Sequence, residues 1–197
     1  SIARDRKGRR ADYTITGIVG EGGMGQIHSA VQRTLDREVV LKTIRRESLS
    51  QELVAAMLQE ARLGAALDHP NIIPLFSLGR DEQDGPVLVM KLVKGEVWLK
   101  LFQDDNHPAW RGRGGDLLVR NLSILLQVCD AVAFAHSQRI LHRDIKLENV
   151  MIGGFGEVYL IDWGIALRLD QEQQEGQQIV GTPSYMPPEM ALSQRLD

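Results

Sequence analysis

Cysteine is almost absent from this chain, with one residue, Cys129, among 197, set in an apolar run. A single thiol excludes an internal disulfide and any cysteine-rich zinc site, which fits a reducing compartment. The five histidines (His28, His69, His107, His136 and His142) lack metal-ligand spacing, so no structural zinc is expected. Net charge is only −3, from 23 basic and 26 acidic side chains, so no general nucleic-acid or membrane-surface footprint exists. No apolar run is expected to reach the roughly 20 residues that cross a bilayer, and no signal peptide opens the chain. What is present, 43% hydrophobic and 25% charged residues, is ordinary globular composition. The length allows one medium domain or two small lobes. The chain opens on Ser1 rather than Met, so a longer polypeptide is expected around it, and its basic start, residues 1–12, reads as a solvated leader.

Periodicity then divides the chain. Tyr13–Val19 and Gln26–Val31 alternate apolar and polar residues around a glycine cluster, and Glu38–Ile44 is a third, β-branched strand. Ser50–Leu67 switches to helical spacing, with Ser50 as N-cap. Asp68-His-Pro-Asn71 ends that helix, because proline disfavours helix at the residue before it. Ile72–Leu78 and Val87–Leu92 read as two more strands around a turn-rich Gly79–Pro86. Gly95–Gly115 is irregular, but its Trp98, Phe102 and Trp110 are expected to pack on the body. Asp116–Gln138 is a long amphipathic helix, and Val150–Ile152 with Val158–Ile161 form a hairpin closed by residues 153–157. The order is five strands with one inserted helix, then a mostly helical part, with a boundary near Val93–Gly95.

Several short stretches carry chemistry. Gly20-Glu-Gly22-Gly-Met-Gly25-Gln-Ile27 has glycines at the spacing that lets a strand–turn–strand flap close over phosphates and offer them backbone N–H groups. The same spacing can open a dinucleotide-binding unit, but that needs a helix directly after the glycines, and a strand follows here. Lys42 ends an apolar strand, where an unpaired lysine is costly. Glu60, eighteen residues later on the helix, is the candidate partner. Asp144, Lys146 and Asn149 fall within six residues after the long helix, and Asp162 follows a hydrophobic strand. Asp144 can accept a proton from a hydroxyl, Lys146 can steady a transferring phosphate, and Asn149 and Asp162 can hold Mg²⁺, which takes a few protein oxygens plus phosphate. Each residue has a bland explanation as a solvated charge or turn former; their order and spacing together do not.

With these motifs the chain resembles the catalytic domain of the bacterial eukaryotic-like (Hanks-type) Ser/Thr protein kinases, from about Tyr13 to the chain end. The resemblance implies an α+β, two-lobe, protein-kinase-like fold: an N-lobe over 13–93 with a five-stranded antiparallel sheet and one helix, and an incomplete, mainly helical C-lobe over 94–197. It also implies ATP and Mg²⁺ as cofactors. Gly20, Gly22 and Gly25 would cover the ATP phosphates, and Lys42, paired with Glu60, would bind the α- and β-phosphates. His142-Arg143-Asp144 matches the catalytic loop, with Asp144 as base, Lys146 near the γ-phosphate and Asn149 on magnesium. Asp162 matches the second metal-binding position. Val19, Ile27, Val40 and Met151 would wall the adenine slot, Met90 would stand at its back, and Lys91 to Val93 would be the hinge that bonds the base. Lys146, two residues after the base, follows the Ser/Thr rather than the tyrosine pattern, and Thr182 would orient Asp144 and Lys146.

The resemblance implies a kinase of Ser/Thr residues in protein substrates, with no nucleic-acid partner. It places the domain in the cytoplasm, while the full-length protein has room for a membrane anchor or a regulatory or sensor domain after Asp197. The alternative is a nucleotide-binding pseudokinase or signalling scaffold, above all for the chain as it stands. Trp163 replaces the usual Phe after Asp162, Val40 the usual Ala, and Pro188 the Ala before Glu189. No Ser, Thr or Tyr occurs from Ile165 to Gly181. Phosphorylation upstream of Thr182 is therefore not expected to be the switch, and Asp170, Glu172 or Glu175 is expected to occupy Arg143 in part. Helices that follow Glu189 in the family lie outside the chain, so exposed apolar surface and self-association are expected.

Overall fold

The computed structural model of the chain describes residues 12–22, 25–81, 85–110, 116–169 and 180–188. Gly23, Met24, Asp170, Glu172, Glu175, Glu189 and all of the leader before Asp12 lie outside the described residues, and with them the expectation of an acid on Arg143. Two compact units form, one from residues 1–65 with 74–92, the other from 66–73 with 93–197.

The first unit is built on alternation. β1 (Tyr13–Gly22), β2 (Gly25–Gln32) and β3 (Arg37–Ile44) are followed by α1 (Gln51–Ala66), β4 (Leu75–Arg80) and β5 (Pro86–Lys91). The five strands pair antiparallel in the order β1-β2-β3-β5-β4. The two-residue period sends Ala30, Val39, Leu41, Val87 and Val89 to one buried face, with Tyr13 packed against them. Ser50 caps α1 as expected, its Oγ accepting from Leu53 N at 3.3 Å. Met57, Glu60, Ala61 and Leu63 form the helix's buried stripe. β4 starts at Leu75 rather than Ile72, since Pro74 interrupts the run; Ile72 makes a single parallel bridge to Leu160 instead. The Gly79–Pro86 turn is also shorter than expected, because Gly79 and Arg80 remain paired with Val87 and Pro86.

In the second unit, β6 (Gly95–Val97), α2 (Trp98–Gln103), α3 (Leu117–Ser137), β7 (Ile140–Leu141), β8 (Val150–Gly153), β9 (Val158–Leu160) and β10 (Leu167–Arg168) follow in order. Among the described residues the sheets of this unit are β6-β8-β9 and β10-β7. α3 begins where Asp116 Oδ1 accepts from Leu118 N at 2.7 Å, and it buries Ile124, Val128, Ala131 and Ala135. Residues 69–73 fasten onto it. Asn71 Nδ2 donates to Gln127 Oε1 and Val158 O, and His69 stacks on Phe134. The irregular segment does pack through its tryptophans: Trp98 Nε1 donates to Asn121 Oδ1 at 2.7 Å and Trp110 Nε1 to Leu101 O at 3.1 Å. Phe102 of the same segment is exposed. Another expectation needs correction: among the described residues, α3 is long and apolar enough to cross a membrane by length and composition. Its buried stripe, however, packs against β7 and β9.

Candidate active site

The first unit supplies a lysine on a shaped strand face. Period two puts Val40 and Lys42 on the side of β3 opposite Val39 and Leu41. Ser29 and Met90 stand directly across from Val40, and Ile27 and Leu88 across from Lys42. Ile27, Val40, Lys42 and Met90 therefore share one face, as the sequence suggests, and Leu88 joins them unannounced. Lys42 Nζ donates to both oxygens of Glu60, at 2.7 and 2.8 Å. Glu60 is buried while Lys42 keeps a fifth of its side chain exposed, so the pair holds the ammonium without sealing it from a ligand. The glycine motif forms the end of the β1–β2 hairpin, with Gly20 opposite Ile27 and Gly22 opposite Gly25. Gly25 is required by contact: a Cβ there would lie 2.0 Å from the Thr43 carbonyl oxygen. Val19 sits at a register shift in β1 and is exposed. Lys91, at the end of β5, uses its N–H on Pro74 O.

The second unit gathers its polar residues around Asp144. His142 is buried at 2% exposure. Its Nδ1 accepts from Asp144 N at 3.2 Å, which leaves Nε2–H to donate to Ile161 O at 3.0 Å. Burial lowers its pKa, so the ring stays neutral and ties the segment at Asp144 to the one before Asp162. Arg143 (φ 66°) and Asp162 (φ 62°) stand in left-handed backbone, where non-glycine residues are uncommon. Arg143 Nε donates to Ile165 O at 2.6 Å.

Asp144 is surrounded by donors. Lys146 Nζ lies 2.8 Å from its Oδ2, and Asn149 Nδ2 2.9 Å from the same oxygen. Thr182 donates its N–H (3.1 Å) and its Oγ1–H (2.7 Å) to Oδ1. Lys146 also donates to Thr182 Oγ1 at 2.8 Å, closing a three-residue ring. Burial pushes the Asp144 carboxyl up, but hydrogen bonds from Lys146, Thr182 and Asn149 and the Lys146 charge outweigh it, so the group sits below the usual carboxylate range. Gly181 makes the ring possible: its φ is +120°, and a Cβ would come within 2.7 Å of Arg143 O. Asn149 is buried and gives Nδ2 to Asp144 O as well (2.8 Å), which turns its amide oxygen away from the base. Ile161 N donates to Asn149 O at 2.9 Å, so Asp162, exposed at the end of the next strand, begins beside Asn149.

Asp144, Lys146 and Asn149 are thus brought into one network together with Thr182, and Asp162 is tied to it through Ile161. Val93 and Met151 belong to this second unit, Val93 buried and Met151 on β8 between the inward-facing Val150 and Ile152. The structure adds one contact that the motif spacing does not announce: Trp163, 3% exposed, sets its ring edge-on against His142 with centroids 4.6 Å apart. Its indole N–H has no hydrogen-bond partner. Three or more His, Cys, Asp or Glu that could hold a metal do not cluster among the described residues. Asn149 and Asp162 instead offer the small oxygen set that Mg²⁺ accepts when phosphate and water complete its shell.

The family model described as the protein kinase domain matches residues 13–197. Curated relatives include a protein named serine/threonine-protein kinase PknD of Protochlamydia amoebophila, 33% identical over 92% of this chain and 21% of that protein. Bacillus subtilis serine/threonine-protein kinase PrkC is 34% identical over 91% of the chain and 26% of its own length. Myxococcus xanthus serine/threonine-protein kinase pkn3 is 34% identical over 94% and 34%. The chain therefore spans about a fifth to a third of the length of these relatives.

Proposed function

The chain belongs to the protein kinase family, and from that premise we propose that it transfers the γ-phosphate of ATP to serine or threonine hydroxyls of protein substrates. The family uses ATP and Mg²⁺ generally, and relatives of this chain carry the name of serine/threonine-protein kinases. The observation that carries the reading is the ring of Asp144, Lys146 and Thr182, in which one ionised carboxylate is held by two side chains and a backbone N–H.

In this reading Asp144 receives the substrate hydroxyl. Its lowered pKa makes it a weak proton acceptor, which suits a loose phosphoryl-transfer transition state, where positioning counts for more than early deprotonation. Lys146 stands next to the base and neutralises charge on the transferring phosphoryl group. Lys42, kept in place by Glu60, takes the α- and β-phosphates, under the backbone of Gly20, Gly22 and Gly25. Ile27, Val40 and Met90 supply an apolar face for adenine, with Val19, Val93 and Met151 as further walls and Lys91–Val93 as the backbone that bonds the base. Asn149 and Asp162 would hold Mg²⁺, which would supply positive charge against the phosphates. The domain is soluble in type, and a cytoplasmic setting fits a substrate class of intracellular proteins.

The test is transfer of labelled γ-phosphate by the full-length protein beside Asp144→Asn and Lys42→Met. Each variant should lose roughly 10²–10⁴-fold in rate, the range of a positioned general base or comparable group. Equal transfer by wild type and Asp144→Asn defeats the enzyme reading and leaves nucleotide binding without catalysis.

A further inference from the structure

At the end of the β1–β2 hairpin, one β1 carboxylate takes hydrogen bonds from a β2 side chain and from the residue that follows β3. Glu21 is the last β1 residue before Gly22, and it faces Gln26 across the hairpin. Its Oε1 accepts from Gln26 Nε2 at 3.0 Å, and its Oε2 accepts from Arg45 Nη2 at 3.2 Å. Arg45 follows directly on β3, one residue past Ile44, whose cross-strand partner is Gly25. Glu21 therefore links β1, β2 and the residue after β3 at the level of the Gly22–Gly25 pair.

This bracket does little for the stability of the fold. Its ion pair is largely in water, with side-chain exposures of 31% for Arg45 and 52% for Glu21, and pairs that exposed contribute little. Arg45 Nε, by contrast, is buried with no hydrogen-bond partner, and an unmatched buried donor opposes folding. Neither feature makes Arg45 a strong stabiliser. What it does supply is a hold on the paired strand ends: Arg45 fixes Glu21, and Glu21 fixes Gln26.

We propose that Arg45, through Glu21 and Gln26, is a positioning residue that holds the paired strand ends bearing Gly20, Gly22 and Gly25 for nucleotide phosphates. The proposal rests on the kinase reading for the identity of the ligand, and on the hydrogen bonds alone for the hold itself. Because the charges are exposed, the hold weakens as salt shortens the screening length from about 10 Å at 0.1 M.

Two measurements on the full-length protein test it: affinity for Mg·ADP by calorimetry, and amide deuterium uptake over residues 20–27. Arg45→Ala should weaken Mg·ADP about two- to fivefold, the scale of one exposed ion pair, and should speed uptake over 20–27. Arg45→Lys should recover part of both effects. The exchange Glu21→Arg with Arg45→Glu should recover more than either single change. Unchanged affinity and uptake in Arg45→Ala overturn the proposal, and so does an exchanged pair no better than its worse single variant. If the wild type binds no Mg·ADP, the kinase reading fails, while the uptake comparison still decides whether Arg45 holds the strand ends.

Discussion

A carboxylate that accepts from a lysine, a threonine and an asparagine is tuned by its neighbours more than by its own chemistry, and Thr182 is the neighbour that touches both Asp144 and Lys146. Thr182→Ser keeps the hydroxyl and is expected to stay within a fewfold of wild-type rate. Thr182→Val keeps the shape and loses both hydroxyl bonds, and roughly 10- to 100-fold in kcat should go with them, on the scale of one to two net hydrogen bonds to charged groups. Steady-state transfer assays decide this, and equal rates for the two variants count against the ring. His142 gives a pH signature. Its pKa is lowered in the folded protein by burial, so the unfolded chain takes up a proton first as pH falls below about 6.5. Stability is therefore full above that value and declines on acidification through the folded pKa, by at most about 1.4 kcal/mol per pH unit. Asp144, also lowered, acts in the same direction only at more acid pH. Urea midpoints between pH 7.5 and 5.5 should fall for wild type and fall less for His142→Asn; parallel slopes would show that this ring does not carry the effect.

The elements show which parts of the fold were legible and which were not. Ser50 capping α1, Lys42 meeting Glu60 and the five strands follow from local rules: a cap residue before a 3.6-residue period, a lysine too costly to leave unpaired, strands of period two; their antiparallel pairing was implied by the family resemblance instead. The late start of β4 at Leu75 and the exposure of Phe102 do not follow from such rules, because a proline's effect on pairing and the side an aromatic faces are settled by tertiary contacts. The left-handed backbone at Arg143 and Asp162 is of the same kind. Neither residue prefers that conformation, and His142 bonds to the residue next to each, Asp144 N and Ile161 O. The Glu21–Gln26–Arg45 bracket was likewise hidden, since Arg45 reads as one more surface charge. Glycines show the same contrast and give a paired prediction. A Cβ on Gly95 would lie 2.0 Å from Ile152 O, so Gly95→Ala must push β6 off β8 and should cost about 1–3 kcal/mol. A Cβ on Gly64 meets only the Leu75 side chain at 3.7 Å, so Gly64→Ala within α1 should stabilise by about 0.5–1 kcal/mol. Denaturation midpoints should move in opposite directions; a shared sign would mean that these spaces do not govern the outcome.

At the scale of the whole molecule, the feature that stands out is the outer side of α3. Leu118, Val119, Leu122, Leu125 and Leu126 are exposed on a helix whose other side is core, and the free thiol of Cys129 is exposed on the same helix. Contiguous apolar surface of this kind drives association. Produced as residues 1–197, the protein is expected to self-associate at micromolar concentration, and Leu122→Glu with Leu126→Glu should return it toward monomer in light scattering. A monomeric wild-type chain would contradict this. The interior offers a different kind of handle. Trp98 and Trp110 have their indole N–H groups bonded, whereas that of Trp163, buried beside His142, has no partner. An indole so placed emits toward the blue, and its neighbour Asp162 is one of the residues assigned to the metal. In the kinase reading the protein thus carries its own fluorophore beside the proposed metal residue, and with Trp98 and Trp110 changed to Phe, addition of magnesium and nucleotide should shift its emission without any label.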